Sequence, residues 1–226
     1  METGKLSIVA TPIGNLEDMT YRAVRTLSEA DYILCEDTRV TGVLKQRYSV
    51  ETPLKRYDAH ATDRTHAQII DDLMAGKHVA LVSDAGTPGV SDPGVLLVQG
   101  AREAGALIEV IPGPSAVTAA VSLAGIAGNQ FTFLGFVPQK KGRETFIKDI
   151  DQCVQPAVCF ESTHRIMKAL EQLAELQPAA TVYLARELTK LHEELLVGTA
   201  AELLEQLNEQ PVKQKGEFVM IVDSRS

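Results

Sequence analysis

Leu81-Val82-Ser83-Asp84-Ala85-Gly86-Thr87-Pro88-Gly89-Val90-Ser91-Asp92-Pro93-Gly94 is the stretch on which the reading of this chain turns. It follows a short apolar run, Val79 to Val82, that reads as a buried strand. Between Asp84 and Gly94 stand three glycines, two prolines and two aspartates. A surface turn needs no such density of backbone restraint. Glycine lets a backbone approach a ligand closely, proline fixes φ, and loops at strand ends are where sites are built. The stretch therefore reads as part of a small-molecule pocket.

Outward from it, the first half alternates strands and helices. Strands are predicted at Leu6–Ala10, Asp31–Cys35, His78–Val82 and Leu107–Ile111, with helices at Thr20–Glu29, Thr38–Arg47, Thr62–Gly76 and Gly94–Ala104. Strands separated by helices of this length pair in parallel, with helices on both faces. A break falls at Pro112-Gly113-Pro114, which divides the chain into expected domains 1–113 and 114–226. Beyond it comes a small-residue helix, Ser115–Leu123. Further strands are predicted near Phe131–Leu134, Ala157–Phe160, Thr181–Ala185, Glu193–Val197 and Phe218–Val222, and helices near Arg143–Ile150, His164–Leu176 and Ala200–Gln210. Four corners of the first half, Thr11–Asn15, Glu36–Arg39, Asp84–Gly94 and Pro112–Ser115, lie at strand carboxyl ends, where open α/β sheets bind ligands.

The bulk composition narrows the class. The 226 residues carry a formal charge of −8, which argues against a broad basic coat for nucleic acid and leaves room for a local basic patch. Trp is absent, so aliphatic residues must fill the core. Cys35, Cys153 and Cys159 form no C-x-x-C pair, which indicates neither a zinc site nor a disulfide framework and fits a reducing cytoplasm. The N-terminus lacks the layout of a signal peptide, and no apolar run approaches the ~20 residues that would span a bilayer. Thr11-Pro12-Ile13-Gly14-Asn15-Leu16 stands where a dinucleotide fold would carry G-x-G-x-x-G. Neither a P-loop nor a G-x-S-x-G elbow is found. His60 and His66, near Asp58 and Asp63, fit no standard metal spacing and read as a solvated helix start, so no metal is expected.

Several motifs carry a resemblance. Ala10-Thr11-Pro12-Ile13-Gly14-Asn15-Leu16, Glu36-Asp37-Thr38-Arg39, the Ser83–Gly94 loop, Pro112-Gly113-Pro114-Ser115-Ala116, Phe160-Glu161-Ser162-Thr163-His164-Arg165, Ala185-Arg186-Glu187-Leu188-Thr189-Lys190 and Lys215-Gly216-Glu217 resemble, in order and nearly end to end, the tetrapyrrole-methylase superfamily. Within it they are most similar to the branch that methylates the ribose 2′-hydroxyl of a cytidine in the decoding region of 16S rRNA. The resemblance implies an α/β, two-domain tetrapyrrole-methylase-like fold. The N-terminal domain would hold a mostly parallel sheet with flanking helices, and the second α/β domain a mixed sheet. It also implies S-adenosylmethionine in a cleft between the halves, a homodimer, and the small ribosomal subunit with its 16S rRNA as partner. Members often continue into a further C-terminal helical segment; this chain ends at Ser226, so the expectation is that it lacks that segment's hold on the subunit or compensates elsewhere. Methylation of a tetrapyrrole ring carbon in corrinoid or sirohaem synthesis is the competing activity, but the first corner lacks a Gly-x-Gly-Pro-Gly-like run. A non-catalytic ribosome-associated protein is the third reading.

On that resemblance, Pro12 and Gly14 form a tight turn, and Asp84, Ala85, Gly86, Thr87 and Pro88 line the methyl donor, whose polar parts suit backbone groups and a carboxylate. Ser115, Ala116 and Val117 open a helix whose N–H groups suit a carboxylate, and their small neighbours also suit close helix packing. Asp92 before Pro93 reads as a capping turn. Asp37, His60, Asp84 and Glu161 are the candidates for the group that takes the ribose proton, with no choice among them. Arg39 contacts the target or pairs locally. Lys140, Lys141 and Arg143, in the densest basic segment, contact phosphates or form a solvated loop. Ser162 or Thr163 caps a helix beside Glu161. Arg186 and Lys190 face RNA or pair with Glu187.

Overall fold

The computed structural model describes residues 3–91, 94–126 and 128–225, in two compact units divided between Ser115 and Ala116. The first holds five strands, β1 (Lys5–Val9), β2 (Tyr32–Cys35), β3 (Leu54–Arg56), β4 (His78–Leu81) and β5 (Leu107–Ile111). They form one sheet of order β3-β2-β4-β1-β5, and every pairing is parallel. Helices α1 (Tyr21–Glu29), α2 (Thr38–Tyr48), α3 (Asp63–Met74) and α4 (Gly94–Glu103) connect them. Thr20, Asp37 and Thr62 start the first three by accepting a backbone N–H into the side-chain oxygen, which satisfies a donor the first helical turn leaves open.

Alternation along the strands sends successive side chains to opposite faces. Val9, Ile33 and Ala80 pack with Ala23 and Leu27 of α1 and Leu44 of α2. Leu6, Leu34 and Val79 pack with Ile69 and Leu73 of α3 and Leu97 of α4. The connection leaving β1 therefore runs to β2 over one face, and the connection leaving β4 runs to β5 over the other. Winding reverses at this adjacent pair, and in such sheets the crevice lies beyond the strand carboxyl ends at the reversal.

β3 is absent from the sequence prediction. Leu54-Lys55-Arg56 has neither length nor β-branched residues to announce a strand. It is held as an edge by the β2 backbone, through Ile33 N–H to the Pro53 carbonyl at 2.8 Å and Tyr57 N–H to the Cys35 carbonyl at 2.8 Å.

The second unit opens with α5 (Ala116–Ala124) and continues through β6 (Thr132–Phe136), α6 (Arg143–Asp151), β7 (Ala157–Ser162), α7 (Ile166–Leu176), β8 (Thr181–Arg186), β9 (Glu194–Gly198), α8 (Ala200–Glu209) and β10 (Glu217–Asp223). Its sheet has the order β6-β7-β10-β8-β9 and is mixed: β6 and β7 are parallel, and β10 runs antiparallel between β7 and β8. Thr199 and Glu202 start α8 with a reciprocal capping box. The expected start of α7 at His164 is corrected to Ile166. Thr163 caps nothing there; its hydroxyl instead bonds both the N–H and the carbonyl of Gly216, each at 2.8 Å, and ties the end of β7 to the approach to β10.

Candidate active site

All four carboxyl-end corners of the first unit are joined to one another. Thr11, just past β1, makes a two-way backbone pair with Gly86, past β4: Thr11 N–H to Gly86 oxygen at 2.9 Å and Gly86 N–H to Thr11 oxygen at 3.0 Å. The buried Thr11 hydroxyl also donates to the Ser83 carbonyl at 3.1 Å. Thr87 donates its hydroxyl to the Pro114 carbonyl at 3.3 Å, which links the β4 corner to the β5 corner. Asp84 Oδ1 accepts the backbone N–H of Asp37 at 3.1 Å, which links it to the β2 corner.

The glycines make this approach possible. Gly86 sits at φ +77°, in the left-handed region that side chains disfavour. At Gly113 an added Cβ would stand 3.0 Å from the Ala10 Cβ, so the first and last corners run nearly in contact. Asp84 and Ala85 are left exposed, while Gly86 and Pro88 are buried beneath them. Pro12, Ile13 and Pro114 are half-buried, and Gly14 is exposed. The result is a shelf of backbone polar groups, one hydroxyl and one carboxylate, edged by apolar rings. Ser115 leads out of this shelf into α5, whose first turn holds Ala116 and the buried Val117. Asp92 and Pro93 lie outside the described residues.

At the β2 corner, Asp37 caps α2 and is gripped by the exposed Arg39, whose Nε and Nη2 reach its two oxygens at 3.0 and 2.6 Å. Hydrogen bonding from Arg39 lowers the Asp37 carboxyl to about 2, so it accepts a proton poorly. His60 is exposed in the loop after β3, where its backbone N–H donates to Asp58 Oδ1 at 2.8 Å.

The second unit treats its motif charges differently, and three of them are buried and paired. Glu161 is 2% exposed. Its Oε2 takes Arg143 Nη1 at 3.0 Å; its Oε1 takes Arg165 Nε at 3.0 Å and the Ser162 N–H at 2.8 Å. With both oxygens occupied, it is no proton acceptor for a substrate. Arg143, 5% exposed, further donates to Gln172 and to the carbonyls of Pro138 and Arg165, so it presents no charge to a phosphate. Arg186, 7% exposed, is enclosed by Glu194 and the carbonyls of Lys215, His192 and Val212, and leaves no fork for RNA. Burial of an arginine demands such complete pairing. Lys190 is half-buried between Glu187 and Glu217, at 3.0 and 2.9 Å. Burial opposes its charge, and the hydrogen bonds it donates to those two carboxylates overcome this and raise its pKa. Lys140 and Lys141 are exposed in the loop before α6.

The residues that do the joining, Thr11, Ser83 and the carbonyl of Pro114, lie in the corners and motifs read from the sequence, which assigns them no role of their own. The signal for Thr11 is its position directly after a buried strand, at the head of the Thr11–Asn15 corner. Glu187 and Thr189 add a second silent feature, with φ of +51° and +65° in a loop that holds no glycine.

Comparison with known proteins places the chain. Residues 5–204 match the family described as Tetrapyrrole (Corrin/Porphyrin) Methylases. A ribosomal RNA small subunit methyltransferase I from Thermotoga maritima is 40% identical over 222 residues, covering 98% of this chain and 99% of that one. The protein of that name from Xylella fastidiosa is 44% identical over 97% of this chain and 81% of its own. Among solved structures, uroporphyrin-III-C-methyltransferase from Thermus thermophilus aligns with a TM-score of 0.64 at 20% identity, over 98% of this chain and 94% of that one, which is a likeness of fold. With the parallel sheet, its knitted corners and the mixed second sheet, these matches make the chain a member of the tetrapyrrole (corrin/porphyrin) methylase family.

Proposed function

We propose that this protein transfers a methyl group from S-adenosylmethionine to the ribose 2′-hydroxyl of a cytidine in the decoding region of 16S rRNA. The carrying observation is the joining of four corners from four different strands into one shelf within the first unit. The names of the full-length relatives support rRNA over a tetrapyrrole as substrate.

The residues of the shelf fit the methyl donor. An exposed carboxylate at Asp84 suits a cation or ribose hydroxyls, the backbone at Ala85, Gly86 and Thr87 suits the amino-acid and base edges, and Pro12, Ile13 and Pro88 offer apolar walls. Bound there, S-adenosylmethionine supplies a methyl group on a positively charged sulfur. Ser115, which follows the β5 corner, extends the donor site within the first unit.

The chain's own part is to orient the ribose oxygen, exclude water and take up the hydroxyl proton. Holding the reacting atoms in line accounts for much of such a rate. Asp84 is the acceptor we assign. Its carboxylate is exposed at the meeting of the corners, whereas Arg39 occupies Asp37 and two arginines occupy Glu161. His60 is the second choice. Arg39, Lys140 and Lys141, which are exposed, are assigned to the RNA backbone, whereas Glu187 and Glu217 hold Lys190.

The homodimer belongs to the same reading, supported by Leu107 and Val110 standing out from the edge strand β5. A cytoplasmic location is supported by three free cysteines. Among the described residues no helix is long and apolar enough to cross a membrane.

The test is transfer of tritiated methyl from S-adenosylmethionine to small ribosomal subunits that lack the modification. We expect one labelled cytidine whose 3′ phosphodiester resists alkali. Label on a base, or no label from protein that binds the donor, rejects the reading.

A further inference from the structure

A separate cavity of about 250 Å³ opens in the first unit between β3 and α3. Its floor is apolar, formed by the buried Leu34 and Ile69. Buried Asp72 stands at its base, held by the Tyr32 hydroxyl at 2.9 Å and the Lys77 ammonium at 2.7 Å. Three cations, Lys55, Arg56 and Arg64, form the rim, all exposed, in a chain of net charge −8.

Packing and pairing account for two of the three. Lys55 lies 3.5 Å from the centroid of the Tyr32 ring and 3.5 Å from Asp72. Arg56 pairs with Asp58 at 2.6 Å. For Arg64, no carboxylate lies within ion-pair distance among the described residues. Arg64 also occupies the first turn of α3, where the helix dipole disfavours a cation. Local helix stability therefore does not explain an arginine at this position, and a ligand anion would.

The rim is continuous with the proposed active site. β3 pairs in parallel with β2, and the register sets Arg56 beside Cys35, two residues before Asp37. A volume of about 250 Å³ falls below the range of about 300–1,000 Å³ typical of drug-sized ligand and cofactor pockets, and suits a single nucleotide unit.

We propose that this cavity is a subsite for the RNA substrate: it seats one nucleotide neighbouring the target, with that nucleotide's phosphate on Arg64. The assignment rests on the RNA-methylating reading above. A free mononucleotide shares the chemistry; the continuity with the Asp37 corner favours the nucleotide as part of a strand.

The test uses the whole protein and the variants Arg64→Glu and Arg64→Lys. Methyl transfer to unmodified small subunits is followed as KM and kcat over a salt series. Binding of a fluorescein-labelled decoding-region RNA fragment is followed without S-adenosylmethionine. Arg64→Glu should raise KM and the fragment Kd about tenfold and flatten the dependence of log K on log salt by about 0.7, while kcat stays within about twofold. Arg64→Lys, which keeps the point charge, should stay within about threefold of the parent. The melting temperature of Arg64→Glu should be unchanged or higher, because an acidic side chain suits the first helical turn. Unchanged KM, fragment binding and salt dependence overturn the subsite. Cytidine monophosphate binding as tightly as the fragment, and lost with it in Arg64→Glu, reassigns the cavity to a free nucleotide and also overturns it. Should the parent protein methylate no subunit, the functional reading fails, and fragment binding still decides the subsite by itself.

Discussion

At the carboxyl ends of the parallel strands, Asp84 and Arg39 stand in solvent, and the backbone around them is fastened corner to corner. In the mixed sheet of the second unit, Glu161, Arg143 and Arg186 come from motifs just as polar, yet each is sealed in and fully partnered. The first arrangement leaves charge available to a ligand; the second uses charge to hold loops against strands. A polar motif therefore reports a demand for those residue types and leaves open whether the demand is chemical or architectural. Burial and partner count make the distinction.

The sharpest way to break this contrast is Glu161→Ala. It leaves Arg143 buried without its carboxylate and should cost about 3–5 kcal/mol of stability, read by urea denaturation. A loss below about 1 kcal/mol would show that the cluster is not holding the fold and would return Glu161 to the list of reactive groups. Asp84→Asn probes the opposite pole. Its amide oxygen can still accept the Asp37 N–H, so stability should change by less than about 1 kcal/mol, while methyl transfer to the ribose falls about 100-fold. Equal activity in this variant would move the proton acceptor to His60.

Gly86→Ala tests the knitting itself. A side chain at φ +77° should cost about 1–2 kcal/mol and weaken S-adenosylmethionine binding severalfold by calorimetry, since the Thr11 pairing would have to shift. The smallest effect concerns Asp37. Its carboxyl should titrate near 2 by carbon-detected NMR, and Arg39→Ala should bring it back toward the ordinary value of about 3.9. Because the folded pKa is lowered, whatever the pair adds to stability is present above the ordinary carboxylate range and disappears as pH falls through about 2.

Much of this contrast was readable before any coordinates. The buried strands announced themselves through runs such as Ile33-Leu34-Cys35 and Val79-Ala80-Leu81, and the corners through Gly and Pro. The motif charges were harder. Arg143 stands beside Lys140 and Lys141 in the chain, but it begins α6 and turns inward while the lysines remain in the loop. Nothing in a basic run says which member meets a carboxylate eighteen residues away. β3 was invisible because its three residues depend on pairing with β2 rather than on their own preference.

Local pattern, by itself, determined the alternation of strand and helix, the parallel character of the first sheet and the positions of the corners. These follow from side-chain period and from the backbone freedom of Gly and Pro, which are properties of neighbours in the chain. Only the tertiary structure decided that Thr11 meets Gly86, that Asp84 holds the Asp37 backbone, and that Glu161, Arg143 and Arg186 serve the core. Those outcomes depend on which distant groups share a space, and whether a charge is solvated or paired is settled there.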